Sequence, residues 1–256
     1  MSPRRVAIPL VAFLLSMAGC ASVPQDPAAR AQYKANHDPL EPLNRRIFAI
    51  NLSLDRFAIK PLAKAYRGAL PGLARDSIRH FLDNLNEPVV FINNLLQGRF
   101  HDAGTTGQRF LLNSTIGVAG FADVASRHKL PKQVGDLGQT LWAWGMPDGP
   151  YLMLPLFGPS NPRDGIGTGV DIYLDPFRYI ARRQNYPTSV TVGRTVVDGI
   201  DKRARNIDTV DVMQREAVDY YASLRSLFRQ NRAAELRNNG PATPLPAPDF
   251  YEDPGR

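Results

Sequence analysis

Few side chains in this 256-residue sequence stand where chemistry would need them. His37, His80, His101 and His128 are scattered, with no histidine partner four residues away and no carboxylate pattern of metal-ligand type. His101-Asp102 puts a base beside a carboxylate, half of a proton relay, yet an aspartate placed there reads as a helix cap next to a surface histidine. Gly165-Ile166-Gly167-Thr168-Gly169 is rich in glycine without the spacing of a dinucleotide fingerprint, and reads as a cluster of turns. No Gly-x-Ser-x-Gly elbow, no Gly-x-x-x-x-Gly-Lys phosphate loop and no carboxylate pair set for acid–base work occurs. The single cysteine excludes an intramolecular disulfide, a four-cysteine zinc site and a CxxC redox pair. The expectation is a protein that is not an enzyme and needs no catalytic residue, metal or cofactor.

The informative residues are amides set in apolar sequence. Asn84, Asn86, Asn93 and Asn94 interrupt the stretch from Phe81 to Leu96, and Asn113 and Ser114 follow Leu111-Leu112. A buried amide without partners costs a few kcal/mol. Two readings stay open. The amides serve as caps and local backbone partners, or they face inward to a water-filled passage while apolar side chains face outward to lipid.

Cys20 has a role set by its position. Arg4 and Arg5 precede an apolar run from Val6 to Leu15, with small residues at Ala18 and Gly19, the order of a secretory signal. The run is too short to span a bilayer, which takes about 20 apolar residues. Met17-Ala18-Gly19-Cys20 resembles a bacterial lipobox, in which the thiol receives a diacylglycerol. Several acyl chains make such an anchor permanent in effect, at about 0.8 kcal/mol per buried CH₂. Residues 1–19 then form the signal and residues 20–38 an acylated tether, and Ala21 favours the periplasmic leaflet of the outer membrane.

The elements that carry these residues are mostly helical. Leu43, Ile47, Ile50, Leu54 and Phe57 step by four and three, which places them on one helix face. A second helix is predicted over 74–97, kinked or broken near Pro88 and stopped by Gly98. A third, capped by Asp102, runs to Thr115. Two more are predicted over 188–205 and 209–237. Residues 117–169 hold ten of the twenty glycines, six prolines and both tryptophans, and predict a hairpin or irregular packed segment without long helices. Residues 39–239 form the domain. Residues 240–256, with five prolines, predict a disordered tail.

The formal charge of +7 permits nucleic acid or anionic lipid as partner. No basic stripe interleaved with aromatics supports nucleic acid, and a secretory signal speaks against it.

Several strings in fixed order over about residues 38–178 resemble the MlaA (VacJ) family of outer-membrane lipoproteins. They are Asp38-Pro-Leu-Glu-Pro-Leu-Asn44-Arg45, Asn86-Glu-Pro88, Leu96-Gln-Gly98, Arg109-Phe-Leu-Leu-Asn113, Gly117-Val-Ala-Gly120-Phe-Ala-Asp123, Asp136-Leu-Gly138-Gln-Thr140, Gly149-Pro-Tyr151 and Gly158-Pro-Ser-Asn-Pro-Arg163-Asp164. Leu43 and Leu137 stand where the family carries phenylalanine, and both keep the position apolar. The resemblance implies an all-α protein, a flat ring of amphipathic helices around a central channel with a Gly/Pro-rich hairpin. It implies partners as well: phospholipids, trimeric porins and a periplasmic MlaC-like carrier that receives lipid removed from the outer leaflet. The channel mouth and gate are expected between Gly117 and Gly169. Candidate residues are Gly117, Gly120, Asp123, Gly138 and Trp142, together with Asn113 and the Asn44-Arg45 helix start. Arg45 suits a phosphate or a structural role equally, and Arg163-Asp164 reads as a structural ion pair or turn. The alternatives are a lipoprotein that braces porins without moving lipid, or a membrane-anchored lipid hydrolase.

Overall fold

The computed structural model describes residues 38–238. The predicted signal, Cys20, nearly all of the tether and the proline-rich tail lie outside the described residues.

Helix α1 (Glu41–Leu54) passes through a π-helical turn, Asp55–Ile59, straight into α2 (Lys60–Ala69). The turn is fixed by a bidentate ion pair, in which Arg203 donates to both oxygens of Asp55 at 2.7 and 3.0 Å. Helix α3 (Gly72–Leu96) runs unbroken with Pro88 inside it, so no break occurs where the sequence predicted a kink or break. Proline removes one backbone donor, and extensive packing of α3 on α4 (Phe100–Thr115) offsets that loss. Gly98 ends α3 as expected, with φ of 73° and its N–H donating to Leu95 O. Asp102 is not the cap of α4. It lies in the first turn, where its carboxylate accepts from Arg99 Nε at 2.8 Å.

The middle segment holds more helix than its glycines suggested. Short helices α5 (Val124–Arg127) and α6 (Leu137–Ala143) precede an antiparallel hairpin of β1 (Leu152–Leu154) and β2 (Gly158–Ser160), with Met153 opposite Pro159. Helix α7 (Pro162–Leu174) then takes in Gly165, Gly167 and Gly169, which are helical rather than a cluster of turns. Close approach explains Gly167, where a Cβ would lie 2.4 Å from Gly138 N as α7 crosses α6; Gly165 and Gly169 have room for one. Asn161 starts α7, its side-chain oxygen accepting from Asp164 N–H at 2.8 Å.

Helix α8 (Pro176–Arg183) leads to α9 (Thr188–Arg205), which has the predicted bounds. The predicted helix over 209–237 is two: α10 (Ile207–Glu216) and α11 (Tyr220–Asn238). Asp219 forces the division, because its carboxylate accepts from Ala222 N–H and from Arg45.

Apolar clusters are small. Ala63, Ala204 and Ile207 join α2 to α9 and α10, and Tyr151, Met153 and Tyr221 join the hairpin to α11. Among the described residues, buried polar or charged side chains outnumber buried apolar ones. The exterior carries Phe57, Leu73, Phe100, Leu111, Ile116, Val118, Leu156 and Tyr173, all more than 60% exposed. Among the described residues no helix is long and apolar enough to cross a membrane.

Gly167→Ala should lower stability by roughly 1–3 kcal/mol, because the clash with backbone outweighs alanine's helix preference. Gly169→Ala, with open space around its Cβ position, should hold or gain up to about 1 kcal/mol. Thermal unfolding of both variants in detergent checks the pair.

Candidate functional site

A cavity of about 460 Å³ lies among α3, α7, α8, α9, the Gly135-Asp136 lead into α6 and Phe157 in the hairpin turn. Its lining is mixed. Leu82, Val89, Phe157, Ile172 and Phe177 supply apolar wall, and Asn86, Thr168, Thr191 and Thr195 supply neutral polar groups. The charges in the wall are largely occupied. Arg194 meets Asp175 at 2.5 Å and stacks over the Phe177 ring at 4.9 Å, and Lys202 meets Asp198 at 2.7 Å. Arg178 donates to the neutral Thr195 Oγ1 at 3.3 Å. Asp171 accepts from Leu137 N–H at 2.8 Å and from Asn93 Nδ2 at 3.0 Å. Burial pushes its carboxyl group above the usual range. Such a wall sets apolar contact and neutral hydrogen-bond partners side by side.

The wall is held by polar contacts deep between helices. Arg109, 3% exposed, donates to Glu87 Oε1 at 3.2 Å, to Leu130 O at 2.6 Å and to both oxygens of Asp123 at 3.1 and 3.2 Å. Burial pushes the Glu87 carboxyl up, and the Arg109 charge opposes it. For Asp123 burial acts the same way but loses to hydrogen bonds from Ser126 and Arg109, so its pKa falls to about 2. Asn113 ties into the same cluster, donating to Asp123 Oδ1 and accepting from Ala125 N–H. Gly117 and Gly120 form the turn above it, and a Cβ on Gly120 would meet Asn84 Cβ at 2.6 Å.

At the opposite end of the chain's path, Asn44 is buried and donates to Asp38 Oδ1 and Tyr151 O, while accepting from Met153 N–H. Asn51, two turns along α1, repeats the pattern with Leu154 O and Leu156 N–H. The two amides fasten the hairpin to α1. Arg45 is partly exposed, pairs with Asp219 and Glu41, and lies over the Tyr221 ring at 4.5 Å. The bonds to Asp219 and then Glu41 hold it charged. Gly138 packs against Asp164 and Arg232, and Trp142 on α6 is 41% exposed. None of the eight residues nominated from the sequence lines the 460 Å³ cavity. Asn113, Gly117, Gly120 and Asp123 come together at one junction, and Asn44 and Arg45 serve another. Arg109, Asn51, Asp171 and Arg194 were missed. For Arg109 a signal existed, since it precedes Asn113 by one helical turn; the others carry no distinguishing pattern. Arg163-Asp164 is an ion pair at 3.0 Å, both members buried.

Comparison with known proteins places this geometry. A family profile described as MlaA lipoprotein matches residues 36–235. The intermembrane phospholipid transport system lipoprotein MlaA of Escherichia coli K12 is 33% identical over 237 residues, covering 91% of this chain and 89% of the relative. Its counterpart of the same name in Haemophilus influenzae is 32% identical over 206 residues, covering 78% and 79%. A solved structure reported as "Structural basis for maintenance of bacterial outer membrane lipid asymmetry" superposes with a TM-score of 0.66 at 33% identity, over 76% of this chain and 96% of that one.

The Asp123 shift fixes a sign. A carboxyl group depressed in the fold contributes stability that is full above its unfolded value near 3.8 and disappears as the pH falls toward 2. Asp123→Asn should therefore lower the thermal midpoint at pH 7 and flatten its fall between about pH 4 and pH 2. Unfolding followed by circular dichroism across that range checks both.

Proposed function

The chain belongs to the MlaA lipoprotein family, and we propose that it is an outer-membrane lipoprotein that helps maintain lipid asymmetry by passing phospholipid from the outer leaflet to a periplasmic carrier. The observation that carries this reading is the mixed-lining cavity enclosed by α3, α7, α8 and α9 in a fold with a polar interior and an apolar exterior. We take that cavity as part of a channel in a ring of helices seated in the periplasmic leaflet.

In this mechanism no bond forms or breaks. The barrier to moving a phospholipid across hydrocarbon is the loss of water around its charged head. Thr168, Thr191, Thr195 and Asn86 offer the head neutral hydrogen-bond partners, and Leu82, Val89 and Phe157 keep acyl carbons in apolar contact. The ion pairs of Arg194 and Lys202 leave the wall polar without a deep charge trap. A passive conduit shifts no equilibrium, so direction comes from tighter binding by an MlaC-like carrier. The exposed apolar side chains suit lipid and a trimeric porin as neighbours. The buried junctions around Asn113 and Asn44 keep the segment 117–169 in register with the wall, which is the part we assign to gating.

Thr195→Trp places an indole in the cavity from an exposed position on α9 and should leave the fold intact. Phospholipid labelled at the cell surface should rise several-fold in that strain at normal protein levels; an unchanged surface would leave a porin-bracing role instead. For the anchor, Cys20→Ala should release the protein from the outer membrane or halt its maturation, checked by membrane fractionation.

A further inference from the structure

A second cavity of about 460 Å³ opens between the hairpin, the start of α7 and the face of α11. It shares no lining residue with the proposed channel. Its wall contains two side chains that are almost wholly buried and still incomplete. Tyr151 is 1% exposed, and among the described residues its hydroxyl has no hydrogen-bond partner. Arg163 is 2% exposed; its Nε donates to Asp164 Oδ1, but its Nη2 has no partner among the described residues. Buried donors of this kind are rarely left unmatched in a native fold.

The missing partner must be an acceptor, because a guanidinium can only donate. The lining sets Arg163, Arg229 and Arg232 against a single carboxylate, Asp148 at the outer side. Arg232 is already held by Asp136, Asp164 and Glu235, so it frames the cleft and does not seek a ligand. Phe228, Ala233 and Leu236 complete an apolar flank along α11. Desolvation and the nearby Asp38 carboxylate hold Tyr151 in its O–H form. Its hydroxyl is therefore available to donate alongside the arginine.

We propose that this cleft binds a phosphate oxyanion, with Arg163 Nη2 and the Tyr151 hydroxyl, both closed to solvent in this structure, turning toward the cleft to donate to it and Phe228 and Leu236 covering an apolar neighbour of the anion. The chemistry is shared by a phospholipid head group and by free phosphate. The cleft goes beyond the proposed transport cavity, although Arg232 connects them: it lines the cleft and bonds Asp136, which lines the cavity.

The test uses the full chain in a phosphate-free sugar detergent. Inorganic phosphate and dihexanoyl phosphatidylglycerol are titrated separately and followed by phosphorus NMR and calorimetry. Saturable binding of at least one probe is expected, with Tyr151→Phe and Arg163→Lys each weakening it roughly tenfold. Tyr151→Phe removes a hydroxyl that bonds nothing, so its thermal midpoint should equal or exceed that of the parent, and it decides the matter if Arg163→Lys does not fold. Binding of the lipid alone identifies a head group as the source, and binding of both identifies the anion itself. Thr195→Trp should leave this binding unchanged, which separates the cleft from the transport reading. The proposal is overturned if neither probe binds, if Tyr151→Phe binds like the parent, or if Thr195→Trp abolishes binding. The first two outcomes mean that internal water fills the site.

Discussion

The guanidinium of Arg109 lies between α3, α4 and the start of α5, and the rest of the wall depends on its being matched. Removing a charge from water is costly unless several hydrogen bonds replace the solvent. Here Glu87, Asp123, Ser126 and the Leu130 carbonyl do so. Such an arrangement has one good geometry. A helix rotated or shifted by a residue would leave a buried ion with a dangling bond, at a cost of about 3–5 kcal/mol. The cluster therefore fixes α3 against α4 more sharply than apolar contacts, which tolerate exchange and sliding.

That specificity matters because the usual source of cohesion is turned around. Large apolar side chains such as Phe57, Leu73 and Tyr173 point outward. In the proposed lipid setting, outward-facing hydrocarbon contributes little to holding helices together. Cohesion would then come from buried hydrogen bonds and from close backbone approach at small residues. The fold uses both: Asn44 and Asn51 bridge α1 to a hairpin more than 100 residues away in sequence, and Gly138 and Gly167 let α6 and α7 cross almost in backbone contact. Arg232 adds a third device, reaching from α11 to Asp136 and Asp164, the residues that open α6 and α7.

Much of this was legible in the sequence where local periodicity decides the outcome. The bounds of α9, the stop at Gly98, the hairpin and the ion pair of Arg163 with Asp164 all follow from spacing within a few residues. The failures share a cause. Gly165, Gly167 and Gly169 read as turns because glycine is a poor helix former, and for Gly167 only the distant packing of α6 makes the missing side chain useful inside a helix. Pro88 read as a kink or break because the packing of α3 on α4 is not visible along one chain, and the break does not occur. The division at Asp219 depends on Arg45, which is 174 residues away. Site residues were harder still. A buried asparagine that joins two helices and one that faces a passage look identical in sequence, so Asn113 was legible as unusual but not as a partner of Arg109's cluster.

The separation of tasks has a mechanical logic. Under the proposed function, a wall that lets an amphiphile pass cannot also be the place where stability is concentrated, since each passage would disturb it. In this fold the buried contacts around Arg109 and Asn44 involve no residue of the cavity lining, while the lining itself offers threonines, an amide and ion pairs. A head group meeting Thr191 or Thr195 exchanges weak bonds for similar ones, which keeps the proposed passage free of deep wells. Selectivity under those conditions comes from amphipathic shape and not from a single tight contact. In the proposed transport the flow would follow the relative affinities at the two ends, since a passive conduit shifts no equilibrium.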